Sequence, residues 1–118
     1  PLSELLLAAA TGRLSSVPRP AFVDDVAITV VLASEGYPEA PATGRALTGL
    51  DAARDVSIAH AATARTPDGG TVATGGRVLS VVATAPDFAE ARARAYAALE
   101  AIGLEGGQYR RDIAERVS

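Results

Sequence analysis

The chain has 118 residues and a mass of 12.0 kDa, enough for one domain with a buried core. Its formal charge is −3, all eleven cations are Arg and no basic run occurs, which argues against a nucleic-acid surface. The lack of Cys excludes disulfides and thiolate chemistry, and a single His argues against a protein-only transition-metal site. No apolar run reaches the roughly 20 residues of a membrane helix, and no signal peptide is visible, so a soluble, cytoplasmic chain is expected. The chain contains no Met and is expected to be a piece of a longer protein.

In chain order, Pro1 to Gly12 (PLSELLLAAATG) predicts a short helix with Ser3 as N-cap, Leu2 and Leu7 as a hydrophobic staple, and Gly12 at C′. Its three consecutive leucines make a broad apolar face. That face either docks on the chain's own sheet or packs against a preceding domain. Arg13 to Phe22, with Ser15, Ser16, Pro18 and Pro20, reads as a linker. Asp24 and Asp25 form a carboxylate pair at the lip of the next strand, where solvated turn residues are the simpler reading than acid/base or metal chemistry.

Val26 to Ser34 (VAITVVLAS) is the strongest strand signal, apolar at successive positions and so expected to be central and covered on both sides. Glu35 to Leu50 reads as a long irregular loop of the kind that often carries function. Within it, Gly36-Tyr37-Pro38 sets a bend that leaves the Tyr37 phenol at the end of the strand, as a site wall or as a lid over the sheet edge.

Val56 to Thr63 alternates well enough for a strand with Val56, Ile58 and His60 on one face, and a lone strand His is more often a packing residue than a base. Asp68-Gly69-Gly70 signals a hairpin, returning through Thr71 to Thr74. Gly75-Gly76 then breaks the strand before Arg77. Two residues without Cβ beside a guanidinium suit an anion, though Gly-Gly also serves any bulge or tight turn.

Val78 to Thr84 predicts the next strand. Asp87 as N-cap and Glu90 three residues on then open a helix ending at Gly103. Phe88, Ala91, Ala95, Leu99 and Ile102 form its apolar stripe, and Glu90 with Arg94 an exposed i,i+4 pair. Tyr109, Arg110, Arg111 and Asp112 make a polar cluster in a terminal stretch that could be a solvated tail, while Ile113 and Val117 could pin a final helical turn. The strands, joined by hairpins and loops, imply an α+β fold: a small, mostly antiparallel sheet with covering helices.

Five motifs in order carry a resemblance: VVLASEGYP, TGL (Thr48 to Leu50), HAAT (His60 to Thr63), GGRVLSV and YRRDI. Together they resemble the C-terminal domain of phosphoribosylamine–glycine ligases, collinearly over essentially the whole chain. The resemblance implies a rudimentary-hybrid-motif-like domain at residues 23–118 that closes one side of an active site. Residues 1–22 would be a helix and linker following the ATP-grasp domain.

The family joins phosphoribosylamine and glycine at the expense of ATP, through a glycyl phosphate, in de novo purine biosynthesis. Gly75, Gly76 and Arg77 would then lie near the ribose phosphate, with Gly36, Tyr37 and Thr63 as further substrate-binding positions. The chain departs from the family's pattern at several places. Ala62 and Ala64 replace the Gly and Lys of Gly-Thr-Lys, with Arg65 next door, Thr74 stands for Asn, and Ala114-Glu115 for Gly-Trp.

No glycine-rich ATP loop, no Lys and no carboxylate set for a metal is present, so no catalytic or metal residue is assigned. ATP and Mg²⁺ (or Mn²⁺) would be bound on the upstream ATP-grasp domain, and the piece alone is expected to be inactive. Two other readings use the same residues: a stand-alone small-molecule-binding or regulatory domain, and a structural module that docks through its leucine-rich helix.

Overall fold

Strand β6 (Arg77–Ala85), in the computed structural model, is the spine of the domain. The structure describes residues 1–117; Ser118 lies outside the described residues. Leu79, Val81, Ala83 and Ala85 recur at the strand period and are all buried, and Val78 joins the same core at a register shift, where Leu32 pairs with Leu79 and Ala33 with Arg77. β1 (Val26–Ala33) and β3 (Ser57–His60) pair with it, both antiparallel, in the order β1-β6-β3.

A second antiparallel sheet runs β4-β5-β2-β7, from β4 (Thr63–Arg65), β5 (Thr71–Ala73), β2 (Ala46–Thr48) and β7 (Gly103–Leu104). The α+β class and the antiparallel pairing agree with the sequence reading. The Asp68-Gly69-Gly70 turn joins β4 to β5, with Thr66 N–H donating to the Gly70 carbonyl at 3.0 Å.

Helix α2 (Phe88–Ala101) lies over β1 and β6. Ala91, Ala95 and Ala98 are buried against the sheet, and their small side chains let helix and strands approach closely. Leu99 supplies the bulk of that face, its burial contributing about 2 kcal/mol. The expected cap is present: Glu90 N–H donates to Asp87 Oδ1 at 2.8 Å, and Arg94 pairs with Glu90 one turn apart.

Several expectations are corrected. β1 is an edge strand: Ile28, Val30 and Leu32 point inward, while Ala27, Thr29 and Val31 are exposed. Central position belongs to β6, because two strands rather than one found partners along it. The segment 35–50 holds a strand, β2, too short to show a period in sequence. The 56–63 segment is cut at Ala61-Ala62, so His60 and Thr63 belong to different sheets. Gly103 lies in β7 rather than ending the helix, and a Cβ there would overlap the Thr48 hydroxyl.

α1 (Leu2–Ala10) starts from Pro1 without a side-chain cap, so Ser3 is a helical residue and not the N-cap. Its other end is as expected. Gly12, at φ +67, donates to the Ala9 carbonyl and Arg13 to that of Ala8, a glycine-closed C-terminus. The helix packs on the 3-10 turn at Leu14–Ser16, and Leu2, Leu6 and Leu7 remain 70%, 62% and 60% exposed. Docking of this face on the chain's own sheet does not occur. The radius of gyration, 17.5 Å, exceeds the roughly 13–14 Å of a compact domain of this length, in keeping with an outlying N-terminal segment. No described helix is long and apolar enough to cross a membrane.

Candidate functional site: an arginine-lined cleft

The outer face of β1 and β6 carries a cleft in two contiguous hollows of about 610 and 400 Å³ that share Val31, Tyr37 and Arg77. Arg77 opens β6, placed at the strand's mouth by the break at Gly75-Gly76. Its guanidinium has no ion-pair partner among the described residues.

Tyr37 arrives from the turn after β1, and its ring occupies the volume a Cβ at Gly76 would need. Tyr37 is 38% exposed and lines both hollows of the cleft. Gly76 is therefore glycine because an aromatic ring lies on it. Gly75 is similarly crowded, since a Cβ there would come within 3.0 Å of the Ala62 methyl. Among the described residues neither glycine N–H is taken up by a partner.

Ser34 holds this corner together and is the residue that sequence reasoning missed. It is 2% exposed and the one buried polar residue of the described chain. Its hydroxyl donates to the Gly75 carbonyl at 2.9 Å and its N–H to the Gly76 carbonyl at 2.8 Å. Its own carbonyl accepts from Gln108 Nε2 at 3.3 Å, and the same amide reaches the Tyr37 carbonyl at 3.1 Å. A single Ser closing an apolar run, where the strand could have continued, was the available signal.

The predicted site residues thus divide. Tyr37, Gly76 and Arg77 line one cleft, and Gly75 backs it. Gly36, at φ +78, lies too close to the Ala40 carbonyl for any side chain and serves the turn. Thr63 lies elsewhere, in a polar hollow of about 470 Å³ with His60, Arg65 and Asp51, where His60 Nδ1 and Thr63 Oγ1 are 3.0 Å apart. Thr63 and Arg65 alternate onto the same face of β4, so Arg65 brings a positive charge to Thr63's side.

Antiparallel sheets backed by one helix, with an open arginine-lined cleft on the outer face, define an α+β domain. The chain belongs to the phosphoribosylglycinamide synthetase C-domain family, which it matches over residues 27–116. It is 61% identical to the phosphoribosylamine–glycine ligase of Leifsonia xyli over 98% of its length, covering 29% of that protein. Identity to the Streptomyces coelicolor ligase is 49% over the whole chain and 29% of the relative. A crystal structure of phosphoribosylamine–glycine ligase from Thermotoga maritima superposes with a TM-score of 0.75 at 37% identity, over 94% of this chain and 28% of that one. The chain spans less than a third of the length of these relatives.

Proposed function

We propose that the chain is the substrate-closing C-terminal domain of an ATP-dependent ligase that joins phosphoribosylamine and glycine to glycinamide ribonucleotide, releasing ADP and phosphate in de novo purine biosynthesis in the cytoplasm. One observation carries the reading beyond family membership. The chain is net acidic, yet no carboxylate lines the Tyr37–Arg77 cleft, where Arg77 has no ion-pair partner among the described residues and the second arginine, Arg110, is paired with Asp112. Such a lining favours an anionic substrate, and a guanidinium forks onto phosphate oxygens with charge-assisted hydrogen bonds.

Arg77 takes the ribose phosphate, the Gly75 and Gly76 amides extend the cradle, and Tyr37 shapes the wall and limits water. Thr63 and Arg65, in the neighbouring hollow, contact another part of the assembled site. The residues present do not fit a nucleotide–metal centre: the chain has no Lys, and no group of His, Asp and Glu among the described residues is placed to hold a metal ion. ATP and Mg²⁺ (or Mn²⁺) therefore belong to the upstream ATP-grasp domain. Residues 1–22 form the junction to it, with the exposed leucines of α1 seated on that domain.

The test is Arg77→Ala in the full-length ligase. The KM for phosphoribosylamine should rise about tenfold or more while that for ATP stays within twofold. An unchanged phosphoribosylamine KM would make Arg77 structural. The 118-residue chain alone should show no ligase turnover.

A further inference from the structure

We propose that Arg110 is a second phosphate-binding group of the cleft, so that a sugar phosphate is held between the Arg77 and Arg110 guanidiniums. The inference rests on the reading of the cleft as a phosphate site. Nothing in the sequence separates Arg110 from its neighbour Arg111, but the structure does. Arg110 lines the 400 Å³ hollow with Arg77, Tyr37 and Tyr109, whereas Arg111 stacks over the Tyr109 ring at 5.2 Å and is absent from the lining.

The terminal segment that carries Arg110 is braced on three sides. Gln108 exchanges backbone hydrogen bonds with Ala33 at 2.8 and 2.9 Å, adding to the β1 edge. Tyr96 of α2 donates its hydroxyl to the Arg110 carbonyl at 2.7 Å and accepts from Ile113 N–H at 3.1 Å. Arg92 donates to the carbonyls of Arg111 and Ile113.

Asp112 then orients the Arg110 fork itself, accepting from Nε at 2.9 Å and from Nη2. A guanidinium has five N–H donors, so Nη1 and the remaining Nη2 hydrogen stay free for a ligand. A brace of this kind places a charged head without the entropy loss that a free side chain would suffer on binding. Two guanidiniums, Arg110 oriented by Asp112 and Arg77 without an ion-pair partner among the described residues, offer donors from two directions, which suits a tetrahedral dianion better than a planar carboxylate that one guanidinium satisfies alone. The ligand class is a phosphate monoester on a sugar.

The experiment uses the full-length ligase saturated with a non-hydrolysable ATP analogue and Mg²⁺, titrated calorimetrically with ribose 5-phosphate. Arg110→Gln should weaken binding about tenfold or more, keep the melting temperature within about 2 °C and flatten the salt dependence of the affinity. Arg110→Lys should recover part of the loss. Affinity within twofold of wild type in Arg110→Gln, with Arg77→Ala still impaired, overturns the proposal and leaves the phosphate site standing. Both variants within twofold would remove that site as well. The Asp112→Asn variant separates binding from bracing, since it keeps the guanidinium; a loss equal to that of Arg110→Gln assigns the effect to the brace and overturns the proposal.

Discussion

Gly76 and Tyr37 form a pair in which each explains the other. A methyl at position 76 would overlap the ring, so Gly76→Ala must displace Tyr37 or the β6 entry. We expect Gly76→Ala to destabilise the chain by about 1–3 kcal/mol in a urea titration and to open the cleft wall. Position 114 offers the converse. Ala114 is held at φ +56, a left-handed conformation unfavourable for a residue with a Cβ. Ala114→Gly should therefore stabilise by about 1 kcal/mol, seen as a raised urea midpoint with unchanged slope.

At the level of elements, the sequence left the C-terminal segment open between a solvated tail and a turn pinned by Ile113 and Val117. Ile113 packs on the core, and Tyr96 and Arg92 on α2 tie the segment down through four hydrogen bonds. Arg92 also lies over the Tyr96 ring at 4.7 Å, so the two clamp residues support each other. Tyr96→Phe removes both the donor and the acceptor of the clamp. The expected cost is about 1–3 kcal/mol, with faster amide exchange confined to residues 109–116.

The same segment should respond to acid. The Arg110 hydrogen bond holds the Asp112 carboxyl below its usual range. A depressed folded-state pKa stabilises above the unfolded value and loses that contribution as the pH falls through the folded one. Below about pH 4 the brace should weaken, and Asp112→Asn should abolish that part of the acid response in amide exchange.

On the scale of the whole molecule, the domain and the N-terminal segment are separate in energy. α1 buries only Ala8, and none of its leucines reaches the core. Deleting residues 1–22 should leave the melting temperature within about 2 °C, because no core contact is lost. With α1 seated on an upstream domain as proposed, Leu6→Asp in the full-length protein should instead lower its melting temperature.

What the sequence determined alone was local and repetitive: the apolar runs of β1 and β6, the Asp68-Gly69-Gly70 hairpin, and the capped stripe of α2. Each of these is written in residues close in the chain, where period and cap chemistry act directly. Tertiary structure alone decided which strand became central, since β1 is the more continuously apolar run and yet only β6 gains strand partners on both edges. It also placed Thr63 apart from Arg77 and brought Arg110 to Tyr37 from the far end of the chain. Such neighbours are chosen by packing and by long-range bonds such as those of Ser34 and Gln108, for which no local pattern exists.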